Sequence, residues 1–314
     1  MTIDMHAHLL PRDMVSDLFW NTYIRISAKA LNMSEDVLKQ GAKMQEGINN
    51  VDGCIKAMDE AGIDKRLLMG IDYGLSRTGE SKWSVEEMNQ WFAHQVAEYP
   101  DRLYSLCAVD PRRGERAIKL LEKAVEEWDM KGVKLYPTCG FYPDDPAFDP
   151  FYKKCVELDV PIFSHTTPFG LTLLEGKYAN PIYLDGVAAR FPDLKIVFIH
   201  FGGLDWMLKA VSIMQARPNV YADISANQGQ ALYWTAQYIS NLNSIINSKS
   251  ILAPFSDRIM FGTDWPALDA IMSSKDWVDW VKNLPEKGKE YGFNFKQEDI
   301  QKILELNAKK LLKL

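Results

Sequence analysis

No stretch of this sequence reaches the roughly 18 consecutive apolar residues that a membrane-spanning helix needs. Nor is there a block of lysine and arginine. The 36 basic and 42 acidic side chains leave a net charge of −6, which speaks against nucleic acid or an anionic membrane as the partner. Cysteine is scarce, and Cys54, Cys107, Cys139 and Cys155 show no CxxC spacing. That excludes a thiolate zinc site of the usual spacing and reads as reduced thiols in a cytoplasmic chain. The start of the chain carries no charged leader followed by an apolar segment. Low-complexity tracts, interdomain linkers and repeats longer than one strand–helix unit are also missing.

What is present is a regular alternation. Short β-rich runs recur at 3–9, 66–71, 103–109, 132–136, 160–165, 195–201, 220–224 and 258–262, with amphipathic helical patterns such as 48–61, 115–128 and 300–314 between them. The run KIVFIHF is continuously apolar, as a parallel strand buried on both faces should be. Eight strand–helix units in 314 residues predict a single-domain (β/α)8 TIM barrel spanning 1–314. Links from helix to strand are short. Several links from strand to helix are long: 10–47, 137–149, 166–184 and the segment from 225 onward. In a barrel these long links all open on the C-terminal face, where active sites assemble, and 10–47 reads as a lid or insertion.

Histidine is as sparse as cysteine, yet four of the five histidines fall on or at the end of predicted strands. His6 and His8 in I-D-M-H-A-H are two apart on one strand and point to the same side. Neutral imidazoles so placed suit Zn²⁺, Fe²⁺ or Mn²⁺. His165 ends the fifth run, His200 the sixth, and Asp264 follows the eighth in F-G-T-D-W-P. Taken singly, these would be structural histidines and a turn aspartate. In a closed barrel, strand eight lies beside strand one and the others face them across a narrow interior. Five ligand-type side chains thus share one rim, and a divalent metal is the expected cofactor, with zinc first, manganese or iron next, as one ion or two. His94 falls off the apolar stripe of 85–98 and reads as a surface residue. Lys134 in G-V-K-L-Y-P points toward the same rim, as a snorkelling side chain, a carboxylate-binding cation or a carboxylated lysine bridging two ions.

The segments IDMHAHL, GVKLYP, FIHFGG, MFGTDWP and NAKKLL resemble the amidohydrolase superfamily, in particular the amidohydrolase-related branch. That branch includes aminocarboxymuconate semialdehyde decarboxylase and the resorcylate and carboxyvanillate decarboxylases. The resemblance implies metal ligation by His6, His8, His165 and Asp264. It makes His200 an acid/base, or a ligand in a two-metal version, and makes Asp4 an orienting partner of the strand-one histidines. Lys134 departs from the decarboxylases and matches two-metal hydrolases of the superfamily, so the leading expectation is hydrolysis.

In that reading, metal-bound water with its pKa lowered toward about 7 attacks a C–N or C–O carbonyl group of a small anionic substrate. Asp264 or His200 moves the proton and Lys134 helps to stabilise the oxyanion. The alternatives are non-oxidative decarboxylation of a small aromatic or unsaturated acid, and a metal-binding sensor or scaffold without turnover. Arg12 and Arg25 in the first long loop are candidates for the substrate carboxylate, and Tyr136 and Trp265 for an aromatic pocket wall. The aromatic-rich loops are compatible with a homodimer.

Overall fold

All eight apolar runs form strands, and they pair in chain order: β1 (Ile3–Ala7), β2 (Lys65–Met69), β3 (Leu103–Ala108), β4 (Val133–Leu135), β5 (Ile162–His165), β6 (Ile196–Ile199), β7 (Val220–Asp223) and β8 (Ile259–Met260). This is a computed structural model, and it describes residues 1–48, 50–169, 173–248 and 253–314. Every ladder is parallel. β8 is short, but backbone bonds continue past its end and close the barrel onto β1. Met5 N donates to Phe261 O at 2.9 Å, Asp264 N to His6 O at 2.8 Å and His8 N to Trp265 O at 2.7 Å. The chain is therefore the expected (β/α)8 barrel.

The strand residues divide into two apolar layers. Val133, Leu135, Ile162, Ile196, Phe198, Val220, Ala222 and Ile259 pack outward against the helices. Leu67, Met69, Leu106, Phe163, Val197, Ile199 and Met260 alternate with them and fill the interior. On β1 the alternation breaks. Ile3 and Met5 belong to the interior layer and Ala7 to the outer one, and the register against β2 shifts between Asp4 and Ala7. The shift lets His6 follow an inward residue and still face the barrel mouth, which is the use proteins make of such irregularities near sites.

The closing segment is helical in two pieces, Gln297–Gln301 and Asn307–Leu312, around a π-helical turn at Lys302–Leu306. The sequence pattern predicts one uninterrupted helix. The interruption has a visible reason: the Ile303 carbonyl accepts from Phe261 N at 2.9 Å and so belongs to the barrel as well as the helix. Asn307, the first residue of NAKKLL, donates to the carbonyls of Ser256 and Ile259, both at 2.7 Å, and fixes the approach to β8. The long segment after β1 is also helical, as Asp17–Leu31 capped by Ser16 and as Glu35–Ile48. The next helix starts at Val51, capped by Asn50, rather than at 48. Residue 49 of that expected helix lies outside the described residues, as do 170–172 of the loop after β5. Among the described residues, no helix is long and apolar enough to cross a membrane.

Candidate active site

The C-terminal ends of β1, β5, β6, β7 and β8 bring their polar side chains to one mouth. His6 and His8 leave β1 with their Nε2 atoms 3.0 Å apart. Nδ1 of His8 lies 2.8 Å from the Met69 carbonyl, which can only accept, so His8 carries its proton there and a lone pair on Nε2. Asp264 presents Oδ1 at 3.4 Å from His8 Nε2 and 3.5 Å from His6 Nε2. Acceptor groups thus crowd together in a buried place, and that donor set fits a divalent cation of the borderline kind. Among the described residues, the groups close enough to share an ion are His6–His8–Asp264 and His6–His200–Asp223.

Two of these residues sit on unusual backbone. His200 (φ 67°) and Asp264 (φ 57°) are left-handed without being glycine, each just past its strand. Strain of this kind persists where surrounding structure enforces it, and it clusters at functional sites. Gly262 shows how tightly β8 is seated: a Cβ there would stand 3.1 Å from His6 Cβ and 3.0 Å from Ser225 Cβ. A side chain in place of the glycine of F-G-T-D would have to push one of these neighbours aside.

Beneath the site lies a network of buried charge. Asp4 Oδ1 accepts from the backbone N–H of His6 (3.1 Å) and of Thr263 (2.9 Å). Its Oδ2 accepts from Thr263 Oγ1 (2.6 Å) and Arg66 Nε (2.8 Å). Asp4 therefore orients the strand-one histidines through the main chain rather than through their rings. Arg66 and Asp4 are both fully buried.

Burial sets the charge state of the mouth. It lowers His6 and His200 well below the ordinary histidine range, with Lys134 and the other imidazoles adding to the effect. It takes His165 down to about 3 and Lys134 down to about 8. It raises Asp223 to about 6, against the pull of hydrogen bonds from Ser225 and the His200 backbone. Near neutral pH, then, His6, His165 and His200 are neutral and the lysine is a cation.

Not every expected residue joins the cluster in the expected way. The His165 ring lies 4.9 Å from the His200 ring, but its Nε2 is taken up by Phe169 O and Thr167 Oγ1, both at 3.0 Å, inside its own loop. Tyr136 is at the mouth, its ring 4.6 Å from His165. Lys134 is buried, with Nζ 5.7 Å from the Tyr136 ring centre, and it forms no ion pair among the described residues. Trp265 is not a pocket wall. It follows the left-handed Asp264, turns into the layer between strands and helices, and packs under the Arg66 guanidinium at 5.2 Å. Arg12 is paired with Asp17, bonded to Val15 O and stacked 5.1 Å from the Trp20 ring. Arg25 is exposed on the helix Asp17–Leu31. His94 is exposed, as its helical position predicts.

Sequence reasoning passed over Asp223, Ser225, Arg66 and Tyr73. The first two stand in V-Y-A-D-I-S, where polar residues interrupt an apolar strand at its C-terminal end, and that interruption was the available signal. Tyr73 follows β2 and packs edge-on against Tyr136 at 5.8 Å.

The amidohydrolase family model matches residues 3–314, and the chain belongs to that family. It is similar to the gamma-resorcylate decarboxylase of a Polaromonas species, 23% identical over 259 residues that make up 72% of this chain and 79% of the relative. The 5-carboxyvanillate decarboxylase of Sphingomonas paucimobilis superposes with a TM-score of 0.70 at 16% identity, over 100% of this chain and 99% of the other. The enzyme of that name from Novosphingobium aromaticivorans, complexed with manganese and 4-hydroxy-3-methoxy-5-nitrobenzoic acid, gives 0.67 at 18% identity, over 100% and 96%. These relatives bear the names of decarboxylases, and the resorcylate enzyme backs the decarboxylase alternative better than the hydrolytic expectation drawn from Lys134.

Proposed function

We propose that this protein is a metal-dependent, non-oxidative decarboxylase acting on a small aromatic or unsaturated carboxylic acid. The observation that carries the anionic substrate is Lys134, while the reaction type rests on the relatives. A buried ammonium with no ion-pair partner among the described residues, beside a cluster of metal-ligand groups, suits a site that receives an anion. The decarboxylase relatives supply the reaction type.

His6, His8 and Asp264 would hold the ion, with His165 as the fourth ligand that the family resemblance implies. Manganese in the Novosphingobium enzyme makes Mn²⁺ as strong a candidate as Zn²⁺. When bound, the ion supplies a positive charge that grips an anionic oxygen of the substrate. Lys134 adds a second fixed charge that orients the carboxylate. The buried Tyr73 and Tyr136 rings give the mouth an apolar side that excludes water and suits a flat unsaturated substrate. As the C–C bond to the carboxylate breaks, CO₂ leaves and the electron pair stays on the ring or chain carbon. His200, centred among His6 and His165, takes a proton from solvent onto its free ring nitrogen and passes it to this carbon, ending neutral again.

The test is an assay of the metal-loaded protein against hydroxylated benzoates and unsaturated dicarboxylates, alongside lactones and amides. CO₂ release with the des-carboxy product is the expected result. Acid release from a lactone or amide, without any CO₂, would reinstate hydrolysis.

A further inference from the structure

The group His6–His200–Asp223 has the composition of a second cation site, yet its centre is filled by a hydroxyl. Ser225 Oγ lies 2.8 Å from His200 Nδ1 and 3.0 Å from His6 Nδ1, and it donates to Asp223 Oδ1. Oδ1 also accepts from the backbone N–H of His200 (3.1 Å) and of Ser225 (3.0 Å). An oxygen meeting three donors is an acceptor in either charge state of the carboxyl group, because a proton would have to sit on Oδ2. The single Ser225 hydrogen is therefore committed to Asp223. What the hydroxyl offers to both rings is lone pairs, so both rings must bring the hydrogen.

We infer that Ser225 is a positioning residue that fixes the tautomers of His6 and His200 together, each with its proton on Nδ1 and its lone pair on Nε2. His8 reaches the same state through the Met69 carbonyl. All three imidazoles then turn basic nitrogens to the mouth: two beside Asp264 Oδ1, and one available to carry a proton. The inference deepens the proposed reading and rests on it for what those nitrogens are used for. It also assigns the residue that the amino-acid sequence leaves without a role, two residues past the end of β7, a strand that carries none of the expected ligands. Asp223 acts through Ser225; its Oδ2 has no hydrogen-bond partner among the described residues and stands 3.5 Å from His6 Nδ1.

The experiment is long-range proton–nitrogen correlation NMR on the full chain with ¹⁵N-labelled histidine, before and after Zn²⁺, with each signal assigned by substituting one histidine at a time. Expected in the unsubstituted protein are pyrrole-type Nδ1 and pyridine-type Nε2 for His6 and His200. In Ser225→Ala the other tautomer should appear at both residues and the Zn²⁺ dissociation constant should rise about 10–100-fold, as is usual on losing a partner behind a metal ligand. The Tm of the metal-free protein should barely move. Ser225→Thr keeps an oxygen in place and should restore the spectrum. A proton on Nε2 of either histidine in the unsubstituted protein overturns the inference, as does a Ser225→Ala spectrum identical to it. A tautomer change with unaltered Zn²⁺ affinity upholds the role of Ser225 and sinks the metal-binding reading of His6 instead.

Discussion

His8 is aimed by Met69: its Nδ1 donates to the Met69 carbonyl at 2.8 Å, across the β1–β2 ladder. The partner is main chain, so the side chain of Met69 is dispensable for the bond. Met69→Leu is expected to keep its full complement of metal, whereas His8→Ala or Asp264→Ala loses it. Elemental analysis of the purified variants reads the difference, and a fully loaded His8→Ala protein would remove His8 from the ligand set.

His165 separates the geometry from the family resemblance. Its Nε2 is engaged by the 166–169 turn, while the resemblance makes it a ligand. The expected outcome for His165→Ala is loss of metal, as for His8→Ala. Retention of one equivalent, with activity reduced, would place His165 at the rim as a packing partner of Tyr136 and His200.

His200 is expected to be dispensable for metal and necessary for turnover. His200→Ala should retain the ion and lose most of its CO₂ release, a kcat effect on the order of 10²–10⁴-fold for a lost acid/base group. Unchanged kcat would leave proton delivery to another residue.

Lys134 carries a pH prediction. Burial takes its pKa down to about 8 in the metal-free chain and a bound cation lowers it further, so kcat/KM should fall as rising pH removes the ammonium. In Lys134→Met that limb should vanish and KM should be high throughout. Stability runs the other way. Between about 8 and the ordinary lysine value, the folded chain holds fewer protons at this site than the unfolded chain, so the metal-free protein should gain stability as pH rises through that window. At pH 7, metal-free Lys134→Met should melt above the unsubstituted protein. A lower Tm would mean that the ammonium is better compensated than its surroundings indicate.

Arg66 and Asp4 form a fully buried ion pair, 2.8 Å from Nε to Oδ2. Removing one partner strands the other's charge, at a cost of about 3–5 kcal/mol. Arg66→Met should show this in urea denaturation, with weaker metal binding because Asp4 also holds the backbone of His6 and Thr263. A variant within about 0.5 kcal/mol of the unsubstituted protein, the range of an ordinary surface change, would show that the network is not under tension.

The barrel was legible because its evidence is one-dimensional. Eight apolar runs, the spacing of His6 and His8, and the long links on one side are all properties of the string. So was the approach of Asp264 to β1, since barrel closure follows from strand count. Ser225 and Asp223 were not legible, because their importance arises from β7 standing next to β6 and within reach of β1. Trp265 was misjudged for a local reason: the left-handed Asp264 before it redirects the chain, so its ring enters the helix layer. Arg12 looked free only because its partner, Asp17, is met after a turn of 3-10 helix at Arg12–Met14.

The slip in register on β1 ties the apolar floor of the barrel to its imidazoles. Ile3 and Met5 pack in the interior, His6 faces the mouth directly after Met5, and one surplus residue lies between Asp4 and Ala7. A descendant that lost Met5 would return to simple alternation with His6 in the vacated inward position. Its grip on an ion would survive and the loss would fall on interior packing, so a deletion there weakens the scaffold before it silences the chemistry.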